Sequence, residues 1–235
     1  GISVNLLYRE YSILDSAMIE KAIKPTFDWL PRSSLVVIEN TCNKGGGSIY
    51  TLDGIKKIRS VCLAKGLALH LDGARLFNAL VESGDTPQNI GAEVDSLSLC
   101  LSKGLGAPVG SLLIGNKAFI TEARRVRKVM GGGMRQAGYL AAAGIYALDH
   151  HVERLKEDHA NARTLAAALA ELNFVSNIRP VQTNIVIFDL EAPLTPTVFL
   201  DFLSKNNVKA SAFGPQTIRF VTHLDVSQAM IKEVI

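Results

Sequence analysis

No run of apolar residues in this chain reaches the roughly 18 that a membrane-spanning helix needs, and no charged-then-apolar leader opens it. The expectation is a soluble protein that neither enters a membrane nor follows a secretory route. Cysteine is scarce: Cys42, Cys62 and Cys100 are odd in number and form no C-x-x-C pair. That argues against a disulfide framework and predicts reduced thiols in the cytoplasm. A formal charge of only +3 is too small to imply a nucleic-acid partner without a clustered patch. His70-Leu71-Asp72 lacks a third ligand in the sequence around it, so no metal is expected. Internal repeats and low-complexity linkers are missing too. So is an initiating methionine: Gly1-Ile2-Ser3-Val4-Asn5-Leu6-Leu7 reads like the interior of a fold, and the expectation is that an N-terminal portion is missing.

What is present is core-forming sequence. The 235 residues are 48% hydrophobic, enough for one large domain or two unequal ones. Leu35 to Glu39 is a continuous β-branched run, typical of a parallel strand covered on both faces. The polar, glycine-rich loop from Asn40 to Gly47 follows at its C-terminal end, the edge at which open α/β sheets bind ligands. From Leu52 to Lys65, Ile55, Ile58, Val61 and Cys62 recur three and four residues apart, and Gly66 supplies a left-handed stop. This predicts an amphipathic crossover helix. Further strands are predicted at Leu67 to Leu71, at Val94 to Ser102 and at Ser111 to Gly115. The alternation predicts an α/β fold with a mostly parallel sheet. Beyond it, residues 116–130 and the alanine-rich residues 135–172 have strong helix propensity. Strands at 183–188, 208–211 and 217–222, with helices at 197–205 and from 226, then suggest a smaller α+β domain. The expected division is a large domain over 1–155 and a small one over 156–235.

Two residues carry the chemistry. The Val94 to Ser102 strand ends on Lys103, and the loop that follows, Gly104-Leu105-Gly106-Ala107-Pro108, is too rich in glycine to continue a regular element. A lysine held there between Leu101 and Leu105 is expected to lose part of its hydration, and burial favours the neutral amine that attacks an aldehyde. Asp72 ends the preceding predicted strand, so the two side chains are expected to open onto one edge of the sheet. A carboxylate that keeps a pyridine nitrogen protonated, with an amine that can condense with the aldehyde of the same ring, describes a pyridoxal 5'-phosphate (PLP) site. Arg75, three residues on, is placed to reach the ring hydroxyl. His70 lies two residues before Asp72 on the same strand face and is a candidate hydrogen-bond partner for that carboxylate. Arg219, between Ile218 and Phe220 in a predicted strand, needs an anion, and a planar carboxylate accepts its fork.

Leu69-His70-Leu71-Asp72-Gly73-Ala74-Arg75-Leu76-Phe77-Asn78-Ala79, the Leu99 to Ser111 stretch, Arg127 to Gln136 and Ile218 to His223 together resemble the low-specificity threonine aldolases, beta-eliminating lyases of the fold-type I PLP class. The resemblance spans most of the chain from about Pro31 onward. It implies a three-layer α/β/α large domain and retro-aldol cleavage of a threonine-type amino acid to glycine and an aldehyde. It also implies a homodimer or homotetramer with shared active sites. On this resemblance Lys103 is the cofactor lysine, Asp72 the pyridine-nitrogen partner, Arg75 the ring-hydroxyl contact and Arg219 the clamp on the substrate carboxylate. Lys128 falls where the family has a basic residue near the cofactor phosphate, and Arg135 is a second candidate of that kind. Two positions depart from the pattern: Cys42 and Trp29 stand where family members carry histidine, which leaves the proton acceptor open among an aspartate, a cysteine and water. The family's ring-stacking histidine and phosphate cup belong to an N-terminal region that this chain does not contain. The same cofactor with β-elimination or racemisation, or a catalytically incomplete fragment, are the rival readings.

Overall fold

Three parallel strands seed the first half of the molecule. β1 (Leu35–Glu39), β2 (Ala68–Gly73) and β3 (Ser96–Cys100) lie side by side, and β4 (Ser111–Gly115) adds to the β3 edge. The computed structural model describes residues 2–235. A short 3-10 turn at Glu10–Ser12 and α1 (Ser16–Ala22) precede the sheet. α2 (Leu52–Lys65) carries the chain from β1 to β2 as the sequence predicts. The Thr51 hydroxyl accepts the Gly54 N–H at 3.1 Å to start it, and Gly66 ends it at φ 64°. Ile55, Ile58 and Cys62 on its inner face are buried in the main core. α3 (Leu76–Ser83) and α4 (Pro87–Gly91) make the second crossover, from β2 to β3.

The sheet is mostly parallel, as expected, with one strand reversed, and one expectation about it is corrected. β4 runs antiparallel to β3, because the connection over residues 101–110 is shorter than the dozen or so residues that a parallel crossover needs. β1 is not covered on both faces: Leu35 and Val37 stay 54% and 52% exposed, because none of the described elements packs over their side of the sheet.

The alanine-rich stretch forms two helices after α5 (Lys117–Val129), namely α6 (Gly138–His150) and α7 (Leu155–Ala170). They are split at 151–154, where a tertiary contact overrides propensity: the His151 ring Nδ1 sits 2.6 Å from the Leu105 carbonyl, and Arg154 then pairs with the buried Asp158 carboxylate in the first turn of α7. A second, wholly antiparallel sheet follows, with β5 (Val175–Ser176), β6 (Ile185–Leu190), β8 (Thr217–Val221) and β7 (Ser211–Ala212) in that spatial order. α8 (Pro196–Lys205) and α9 (Gln228–Val234) complete it. The strand expected from Val208 shrinks to β7, because Val208 N–H is still bonded to the Leu203 carbonyl of α8.

Each sheet has its own apolar cluster, and α7 serves both: Leu155 belongs to the first, and Ala162, Leu165 and Leu169 to the second. The loop after β1 is clasped by the second half. Thr183 Oγ1 donates to the Gly47 carbonyl at 2.9 Å, the Ile49 N–H donates to Gln182 at 2.9 Å, and Arg179 reaches the Lys44 carbonyl.

Gly73 ends β2 where no side chain fits: a Cβ there would lie 2.7 Å from the Ser98 carbonyl oxygen of β3. Gly73→Ala is therefore expected to destabilise the fold by about 1–3 kcal/mol, read as a lower urea midpoint.

Candidate active site

The parallel register lines up the edge of the sheet. Glu39 lies beside Asp72, and Asp72 beside Ser98, so the end of β1, the penultimate residue of β2 and the middle of β3 present their side chains in one row. The Asp72 carboxylate is fixed by the Ala74 N–H at 3.1 Å and the Ser98 hydroxyl at 3.4 Å. Arg75 follows directly at the start of α3. A narrow crevice lined by Ala74, Arg75, Cys100, Gly104 and Leu105 separates this turn from the lysine loop.

Lys103 sits in a tight turn three residues beyond β3, closed by the Gly106 N–H on the Lys103 carbonyl at 2.9 Å. Gly106 takes φ 71° there, which is why the stretch needs glycine. The amine does not have the buried position expected of it. Lys103 is exposed, and its Nζ donates to Cys100 Sγ at 3.1 Å, because its turn projects past the sheet edge instead of lying within the strand. It still belongs to the edge cluster. Burial pushes the Glu39 carboxyl up, Asp72 adds to that, and Arg75 and Lys103 oppose it. Burial likewise lowers Arg75, against the pull of Glu39 and with the push of Arg219.

Arg219 reaches this edge from the other sheet. On β8, it donates from Nη1 to Asn43 Oδ1 at 2.9 Å, stacks its guanidinium 4.8 Å from the Phe213 ring centre, and leaves Nε buried with no partner. A buried guanidinium N–H without an acceptor is expensive, and an anion arriving there repairs it. The donor set of amine, carboxylate and two guanidinium groups on one edge thus fits a PLP ring and an amino-acid carboxylate.

Other candidates are placed differently. His70 turns its Nδ1 to Ser96 Oγ at 2.8 Å, its register neighbour, and not to Asp72. Trp29 is exposed and stacks on Phe27. Cys42 is 1% exposed, its thiol donates to the Glu39 carbonyl at 2.9 Å, and burial with the nearby Glu39 carboxylate pushes it up to about 12. Both effects favour the neutral thiol. Lys128 on α5 and Arg135 beyond it are exposed, and among the described residues neither is hydrogen-bonded or ion-paired to this cluster. Sequence reasoning missed Glu39 and Asn43 as members of the site. Their signal was position alone: the last residue of a predicted strand and the loop after it.

The fold at hand is that of the fold-type I PLP enzymes. It superimposes on a threonine aldolase from Leishmania major with a TM-score of 0.77 at 23% identity, over 94% of this chain and 65% of that one. It also superimposes on a structure of SPT with PLP with a TM-score of 0.70 at 18% identity, over 94% of this chain and 57% of that one. The chain belongs to the Beta-eliminating lyase family, which matches residues 1–193. It is 42% identical to the low specificity L-threonine aldolase of Escherichia coli K12 over 212 residues, which is 90% of this chain and 61% of that protein. The chain therefore spans about three fifths of the length of that relative.

Because burial raises Glu39, the folded state holds its proton more tightly than the unfolded one, and stability falls as pH rises through the ordinary glutamate range. Glu39→Gln removes this loss. Melting temperatures measured from pH 4 to pH 7 should show the variant gaining on the parent as pH rises.

Proposed function

We propose that this chain carries out PLP-dependent cleavage of threonine-type β-hydroxy-α-amino acids to glycine and an aldehyde. The observation that carries the reading is the edge shared by Lys103, Asp72, Arg75 and Arg219, with the Arg219 Nε buried and unpartnered. The resemblance to threonine aldolases supports it. When bound, PLP supplies an electron sink for the carbanion left as the Cα–Cβ bond breaks.

The protein's part is placement. Lys103 offers its amine to the cofactor aldehyde. Asp72, its carboxylate aimed by Ala74 and Ser98, holds the proton at the ring nitrogen. Arg75 would meet the ring hydroxyl and keep it ionised. Arg219 grips the substrate carboxylate with its fork, giving Nε the acceptor it lacks, while Phe213 and Asn43 hold the guanidinium plane. Lys128 and Arg135 are assigned to the cofactor phosphate in an assembly of two or four copies with shared sites. The large unit is taken to end near residue 155 and the smaller one to run from 156, and the compartment is taken to be the cytoplasm.

Lys103→Ala should abolish both the visible absorbance that PLP acquires on binding and the release of glycine from threonine. Survival of both would sink the reading. Pyruvate or ammonia appearing in place of glycine would move the activity to β-elimination. Arg219→Ala should raise KM for threonine by about tenfold to a hundredfold, the worth of a lost charge-assisted pair, and an unchanged KM would remove Arg219 from its role.

A further inference from the structure

One buried polar chain links the second half of the molecule to the lysine loop and has no part in the chemistry assigned above. His159 on α7 is 0% exposed. Its Nδ1 lies 3.0 Å from Glu82 Oε2 at the end of α3, and its Nε2 lies 3.1 Å from Asn78 Nδ2 in the middle of α3. Asn78 is 3% exposed. An amide NH2 can only donate, so Nε2 accepts, and the ring proton sits on Nδ1 and goes to the Glu82 carboxylate. Burial, which disfavours a charged ring, agrees with this neutral tautomer. Arg163, 3.4 Å from Glu82, anchors the outer end.

The inner end is aimed. Asn78, held by its NH2 on His159, lies against Gly104, the residue after Lys103: a Cβ on Gly104 would lie 3.0 Å from Leu155 Cδ2, 3.3 Å from Asn78 Oδ1 and 3.7 Å from Asn78 Nδ2. Gly104 therefore packs against the Asn78 amide and the first residue of α7 with no room for a side chain between them. Which way that amide faces is decided by His159, and which tautomer His159 holds is decided by Glu82.

We propose that His159 is a positioning residue for Lys103, acting through Asn78 to fix the lysine turn, with Glu82 setting its tautomer. The inference rests on the reading of Lys103 as the amine that meets the cofactor. A turn that wanders takes the amine out of reach of the ring, and lost placement of this kind shows as rate.

The test is the rate at which Lys103 is captured by pyridoxal 5'-phosphate and sodium borohydride in the purified chain. It is read by peptide mass mapping against exposed Lys57 in the same sample, with a thermal melt run in parallel. His159→Phe keeps the ring volume but leaves Asn78 Nδ2 without an acceptor. It should slow capture of Lys103 relative to Lys57 by about tenfold, the worth of one buried hydrogen bond. Glu82→Leu should do the same. Glu82→Gln, whose amide oxygen still accepts from Nδ1, should keep the parental ratio. This conservative pair decides the matter if His159→Phe does not fold. An unchanged ratio in Glu82→Leu, with only a lowered melting temperature, would overturn the inference and leave the role of Lys103 intact. Absence of capture at Lys103 in the parent chain would overturn that role and the inference with it.

Discussion

Everything at the candidate site depends on the register of three short parallel strands. Because Glu39, Asp72 and Ser98 are neighbours across the sheet, their side chains emerge at one height, and the loops that follow have a common rim. A slip of one residue in β2 would turn Asp72 to the opposite face and bring Leu71 to the rim in its place. The register is held by what lies beneath it. Leu69 and Leu71 are fully buried against Ile55 and Ile58 of α2, and Gly73 permits the closest approach to β3. The apolar face of the sheet thus decides the geometry of its polar edge.

A second level of organisation is the way α7 divides its length between two cores. Its first turn packs with the sheet that carries Asp72, and its later turns pack with the sheet that carries Arg219. Asp158 near that changeover is fully buried, held by Arg154 through its carboxylate and by the Thr222 hydroxyl through its carbonyl. Breaking a buried pair of this kind strands a charge, so the helix has little freedom to shift against either neighbour. The two halves of the donor set, Asp72 with Arg75 on one side and Arg219 on the other, are related through this helix.

Much of this was legible before any coordinates. β1 and α2 fall on the residues that the apolar run and the Gly66 stop define: the three-and-four spacing of α2 records its buried face, whereas the apolar run of β1 located the strand but not its exposed side. Asp72 could be singled out as the acid that ends a predicted strand, and Arg219 as a charge amid apolar strand neighbours that needs an anion. Strand direction was not, since the apolar residues of β4 read the same either way and only the loop length separates the cases. The exposure of Lys103 was hidden for a similar reason: Leu101 and Leu105 are buried, at 6% and 4% exposed, yet the residue between them turns outward. His159 was invisible, because its partners stand 77 and 81 residues away in the chain and nothing local marks it.

The clasp around the loop after β1 has a thermodynamic corollary. Arg219, Arg179, Thr183 and Gln182, all from the second half, grip residues 43–49 of the first. An anion that takes the free Nε of Arg219 binds a guanidinium whose Nη1 already holds Asn43, so ligand occupancy and the posture of the two halves form one linked equilibrium. Linkage is reciprocal: whatever tightens the grip on that loop changes the affinity for the anion, and by the same factor the anion changes the grip.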